Sequence, residues 1–247
     1  MPYKKLLGLV TALVVVSSGL YAFTTEHLPV AQGEEVIAGP ADLKGRQNVA
    51  ASPYFIKHDF YNMESKGGLT ILSHFPTLQQ TTEYSCGPAA ALMVLKYFAP
   101  QEAVTEQELC QVMSTSKVVG TNTKGMVQYF APDKWQVESS LTHKTPSTDE
   151  EFKEFVVQHL RSKMPIMVEN VDWGGHWRVI IGYDDMGTAQ VGDDVLILAD
   201  PYDTTDHQQD GYNITSAQRF FYMWFDAKLF TKGAQDKQWL SVKPKKM

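Results

Sequence analysis

Ten consecutive residues, Ala89 to Phe98, are apolar at every position but Lys96, and Pro88 stands directly before them. A run this uniform does not suit the half-wet skin of a domain. It predicts a helix buried on nearly all sides, around which the rest of the chain must pack, ending before Pro100. Pro88 fits the first helical turn, where its missing N–H costs nothing. The segment leading in is Gln80-Thr81-Thr82-Glu83-Tyr84-Ser85-Cys86-Gly87, so a cysteine stands where loop becomes helix. Free N–H groups and the positive end of the helix dipole stabilise an anion there, and a thiol so placed ionises more readily than usual. Cys86 is therefore read as a nucleophile on a rigid central element.

A nucleophilic thiol needs a base and a group to orient that base. Trp173-Gly174-Gly175-His176 followed by Trp177 to Tyr183 predicts a glycine turn feeding a strand that begins at the histidine. Asp194 to Ala199 predicts a second strand that ends at Asp200, before Pro201. If the two pair as an antiparallel hairpin around Gly187 and Thr188, setting Ile180 against Leu196 also sets His176 against Asp200. Opposed residues share a face with Cβ atoms ~5 Å apart, close enough for an imidazole-carboxylate bond. A bulge in the loop would change this register. Asp203 is the nearest substitute acid.

The order Gln80, Cys86-Gly87-Pro88-Ala89, Gly175-His176, Gly182-Tyr183-Asp184 and Asp200-Pro201 resembles the bacteriocin-processing (double-glycine) peptidase-like branch of the papain-like cysteine peptidases. The resemblance spans Leu69 to Phe230. It implies an α+β fold in which a helical half carrying the nucleophile packs on an antiparallel β half, with the site in the groove between them. It also implies roles: Cys86 as nucleophile, His176 as general base and acid, Asp200 as orienter, and Gln80, six residues before the cysteine, as oxyanion donor. The attached transporter of the exporting members has no counterpart here, so the chain is similar to the stand-alone exported sort. The expected activity is hydrolysis of amide bonds in a peptide or protein substrate through an acyl-enzyme. A transpeptidase or amidase shares that chemistry, and a peptide- or wall-binding module without catalysis is the reading from a different class.

Other residues carry blander meanings. Trp173 is a candidate substrate-binding wall, and Trp177 is read as core. Cys110 raises the alternative of a bridge to Cys86. Against it, Thr105-Glu106-Gln107-Glu108 is a capping box opening a short helix on which Cys110 is a small core residue. The remaining histidines lack metal-ligand spacing, and the three aspartates from Asp203 to Asp210 lack a calcium-loop pattern. No metal and no cofactor are expected.

Lys4-Lys5, the apolar run Leu6 to Val16 and the small residues ending at Ala22 predict a secretory signal over residues 1–22, with a membrane anchor as the alternative. Removing it takes the formal net charge from −6 to −8, which disfavours nucleic acid or an anionic membrane surface as partner. The protein is expected to be secreted or in the cell envelope, or tethered to the membrane facing outward. Residues 23–52 read as a linker or arm, 53–232 as one catalytic domain, and 233–247 as a flexible, lysine-ending tail. Within the domain, Thr148-Asp149-Glu150-Glu151 opens a helix to about Lys163, Pro165 to Glu169 is strand-like, and Phe220 to Phe225 is expected to close the sheet.

Overall fold

The computed structural model describes residues 54, 56–204, 209–227 and 236–245. The expected signal (1–22) and linker (23–52) lie outside the described residues.

The apolar run forms α1, Cys86–Phe98, with every residue from Cys86 to Leu95 buried. It ends at Ala99, ahead of Pro100. Three further helices lean on it or on the sheet: α2, Glu106–Val112; α3, Thr123–Tyr129; and α4, Asp149–Arg161. The Thr105 capping box is complete, its side chain accepting from the Glu108 N–H while the Glu108 carboxylate accepts from the Thr105 N–H. At α4 the box is offset by one residue. Thr148 Oγ1 accepts from the Glu151 N–H, but the Glu151 carboxylate reaches back to the Ser147 N–H.

Among the described residues, seven strands make one antiparallel sheet: β1, Leu69–Ile71; β2, Trp135–Ser139; β3, Ile166–Asn170; β4, His176–Asp184; β5, Val195–Ala199; β6, Tyr212–Ser216; and β7, Trp239–Pro244. The order is β2-β7-β3-β4-β5-β6, with β1 paired to the distal part of β4 beyond β3. Helix α1 packs on β4, so the core lies between the helical half and the sheet. The architecture is α+β and papain-like.

The sheet departs from expectation in three places. The β4–β5 register is Ile180↔Leu198, not Ile180↔Leu196, and a bulge at Ile181 follows, after which Gly182 pairs with Ile197. The 3-10 turn Val191–Asp193 lies wholly on the C-terminal side of the tight turn at 185–188, which displaces the hairpin's midpoint. Phe220 to Phe225 does not close the sheet. Ala217–Tyr222 is helix α5, capped by Ser216 accepting from the Arg219 N–H, and Phe220 on the helix and Trp224 just past its end both pack against Phe152. Finally, the segment expected as a tail carries β7, which sits between β2 and β3 with Trp239, Leu240 and Val242 buried.

Candidate active site

The sheet and α1 meet at a groove of about 320 Å³ bordered by Cys86, Gln80, His176, Trp173, Glu169 and Tyr202. Cys86 opens α1, whose first N–H groups have no helical partners. No side chain caps this end: Ser85 Oγ is engaged with Thr82 instead. His176 opens β4, directly after the turn Asp172–Gly174. Its Nε2 donates to Asp200 Oδ1 at 2.7 Å, leaving Nδ1 for the Cys86 thiol, which borders the same groove.

Carried one step past the end of β5, the observed register sets Asp200 across from Arg178, so the His176 contact is diagonal. A two-residue shift keeps every side chain on its original face. That is why the pair meets although the expected register is displaced. Both groups are fully enclosed. Burial alone would lower the His176 pKa, but Asp200 and then Cys86 outweigh it and raise the ring above its ordinary value. Burial would raise Asp200, but Arg178 and His176 hold it well below the usual carboxylate range. The pair therefore favours imidazolium beside carboxylate.

Gln80 is buried at the groove, its backbone N–H donating to the Pro201 carbonyl at 2.8 Å and its Nε2 to the Thr82 carbonyl at 2.6 Å. One amide hydrogen remains on Nε2. Gln79 is also buried but does not border the groove. Trp173 is 71% exposed, in a left-handed conformation (φ 51°), with its ring centroid 5.6 Å from that of His176 and 5.1 Å from that of Tyr202. Trp177 is core, as expected. Asp203 does not reach the histidine; its carboxylate accepts from the Gly211 N–H. Cys86 and Cys110 are both free thiols, so the bridge is absent. Burial, with Glu106 nearby, pushes the Cys110 thiol up to about 12.

Sequence reasoning missed three residues here. Arg178 places its Nε 2.8 Å from Asp200 Oδ2, with the N–H turned off that line, so the contact is an ion pair more than a hydrogen bond. Tyr202 donates its N–H to Asp200 Oδ1 and its hydroxyl to Glu83, joining the acid to the loop before Cys86. Glu169 is the last residue but one of β3; its Oε2 accepts from Gln238 Nε2, and its Oε1 would lie 2.2 Å from a Cβ on Gly175. Burial, then Asp226, pushes its carboxyl up to about 9, opposed by the Gln238 bond, so Glu169 is a neutral acid at pH 7. The available signal was a lone charge in an apolar strand, which both Arg178 and Glu169 present. Among the described residues, no cluster of three His, Cys, Asp or Glu side chains could hold a metal, and no helix is long and apolar enough to cross a membrane.

A comparison with curated proteins finds no match. Among solved structures, the chain is similar to the peptidase domain of Streptococcus ComA, a bi-functional ABC transporter involved in a quorum sensing pathway. The identity is 18%, covering 69% of this chain and 98% of that one, with a TM-score of 0.44. A putative C39-like peptidase from Bacillus anthracis gives 15% identity, 72% and 99% coverage, and a TM-score of 0.48. The family model described as Peptidase_C39 like family matches residues 72–226, which hold Cys86, His176 and Asp200 together with most of the sheet. The chain belongs to that family, a family of cysteine peptidases.

Proposed function

We propose that the protein is an exported cysteine peptidase that hydrolyses peptide bonds through a Cys86–His176–Asp200 triad and an acyl-enzyme. One observation carries this reading: the His176 ring, bonded to Asp200 through Nε2, shares the edge of one groove with Cys86 at the start of the buried helix. His176 takes the thiol proton, and the thiolate attacks the substrate carbonyl carbon. Charge moves to the carbonyl oxygen, where the free amide hydrogen of Gln80 and the Cys86 backbone N–H stabilise it. The imidazolium then gives its proton to the departing amine and the C–N bond breaks. Water, deprotonated by His176, attacks the thioester, and the acid product leaves as the thiol reforms. Asp200 keeps the ring in register and stabilises its cation.

Trp173 and Tyr202 would wall the groove against peptide side chains. Export rests on the basic, apolar and small-residue order of residues 1–22. The test is incubation of the protein lacking residues 1–22 with a peptide library, products being read by mass spectrometry, beside Cys86→Ala. Cleavage by the parent and none by the variant is expected. Equal cleavage by both would overturn the mechanism.

A further inference from the structure

Arg178 is a cation on a strand that is otherwise apolar from Trp177 to Tyr183, and only 7% of it is exposed. A charge that deep persists only if it is compensated. Two carboxylates compensate it, and they belong to different parts of the site. Its Nε lies 2.8 Å from Asp200 Oδ2, the oxygen that His176 does not use. Its Nη2 bonds to Asp172 Oδ2, in the turn that precedes His176.

That turn holds the strained residue of the groove. Trp173 follows Asp172 directly and adopts φ 51°, a left-handed conformation that is strained for a side-chain-bearing residue and persists only where surroundings hold it. The ring it projects faces His176 and Tyr202. The turn is fastened at its far end, where the Gly174 N–H donates to the Val171 carbonyl and the Gly174 carbonyl accepts from the Ala227 N–H. The fork of Arg178 is the fastening at the Asp172 end. A planar guanidinium can serve two carboxylates at fixed angle, which an ammonium cannot.

We propose that Arg178 is a positioning residue that ties the triad acid to the Trp173 turn, so that the acid and the substrate-facing wall of the groove are set by one side chain. Its Asp200 arm fixes the acid and tempers the imidazolium. Its Asp172 arm holds the wall. The inference rests on the reading of Cys86 and His176 as the catalytic pair, and it separates two effects that a general structural role would merge.

The ionisable groups around His176 are Cys86 from α1, Asp200 and Tyr202 after β5, Arg178 on its own strand, Glu169 from β3, and Glu83, Tyr84 and Lys117 elsewhere on the groove. Among them Arg178 opposes the imidazolium. The experiment therefore measures the rate of Cys86 alkylation by iodoacetamide against pH, mapped by mass, together with kcat and KM on a peptide that the parent cleaves. Arg178→Gln removes the opposing cation, so the alkaline step in the alkylation profile should move up by about one pH unit. Asp172→Asn leaves the Asp200 arm alone; KM should rise about fivefold with kcat and the alkaline step unchanged. Arg178→Lys keeps a charge near Asp200 but cannot fork, and should resemble Asp172→Asn. An alkaline step that stays or falls in Arg178→Gln, or an Asp172→Asn that lowers kcat at constant KM, overturns the proposal. If Arg178→Gln does not fold, the other two variants, which retain a buried cation, decide it. Retained cleavage by Cys86→Ala would instead defeat the functional reading itself.

Discussion

Replacing Gln80 by alanine separates catalysis from stability more cleanly than any other change at this site. The buried side chain spends one amide hydrogen on the Thr82 carbonyl at 2.6 Å, and that carbonyl also receives the Ser85 hydroxyl at 3.2 Å. Losing the bond costs about 1 kcal/mol. Gln80 Oε1, buried without a partner, disappears in the same substitution, and this offsets part of the loss. Against a typical stability of roughly 5–15 kcal/mol the variant stays folded at 25 °C. Catalysis should suffer far more. A donor aimed at a tetrahedral oxyanion acts mainly in the transition state, and removing one costs about 10²–10³ in kcat, roughly 2.7–4 kcal/mol. Steady-state kinetics on a cleaved peptide should show kcat reduced by that factor with KM nearly constant, while urea melts move little. Gln79→Ala is the matched control, because Gln79 is buried without hydrogen bonds and away from the groove, and its kcat should equal that of the parent. A raised KM with unchanged kcat, or a Gln79 effect as large as that of Gln80, would refute the oxyanion assignment.

Cys86 and Cys110 are almost equally shielded, at 7% and 5% exposure, so exposure alone would label them alike. With its pKa near 12, Cys110 holds only ~10⁻⁵ of its population as thiolate at pH 7, and iodoacetamide should modify Cys86 alone; equal labelling counts against an activated Cys86. The raised pKa of His176 means that its protonated ring stabilises the fold fully below about pH 6.5, and this is lost as pH rises through the folded value. His176→Ala should accordingly lose stability relative to the parent most at neutral and acid pH and least at alkaline pH, as read by thermal melts. Trp239→Ala should cost about 3–5 kcal/mol in urea titration, since the residue is fully buried in β7. A loss under 1 kcal/mol would mean that the strand is dispensable.

Much of the helical half was legible because its signals are local. Caps at Thr105 and Thr148 and the run before Pro100 each fix an element within a dozen residues. The His176–Asp200 pair was legible for a different reason: alternation along a strand survives an error of two in register. What stayed hidden depends on partners distant in sequence. The residues of β7 read as a tail because Lys243, Pro244 and Lys245 dominate its end, and only pairing with β2 and β3 makes Trp239 to Val242 a strand. Phe220 to Phe225 reads as a closing strand, and only packing of Phe220 and Trp224 on Phe152, far away in sequence, sets the segment apart from one. Arg178 gains meaning only through Asp200, which it reaches across a chain reversal, and Tyr202 through Glu83, which lies 119 residues earlier.

The position of β7 also governs when the groove can exist. Gln238, at its threshold, accepts from the N–H and hydroxyl of Thr123 through Oε1 and donates to Glu169 through Nε2. Until that glutamine arrives, Glu169 lacks its donor and β3 has an open edge toward β2. Every candidate catalytic residue is synthesised before it. Pairings that close loops this long form late. A nascent chain thus carries the thiol, the imidazole and the acid through its early life without the frame that aligns them, and on the proposed reading any cleavage must wait for the final stage of folding.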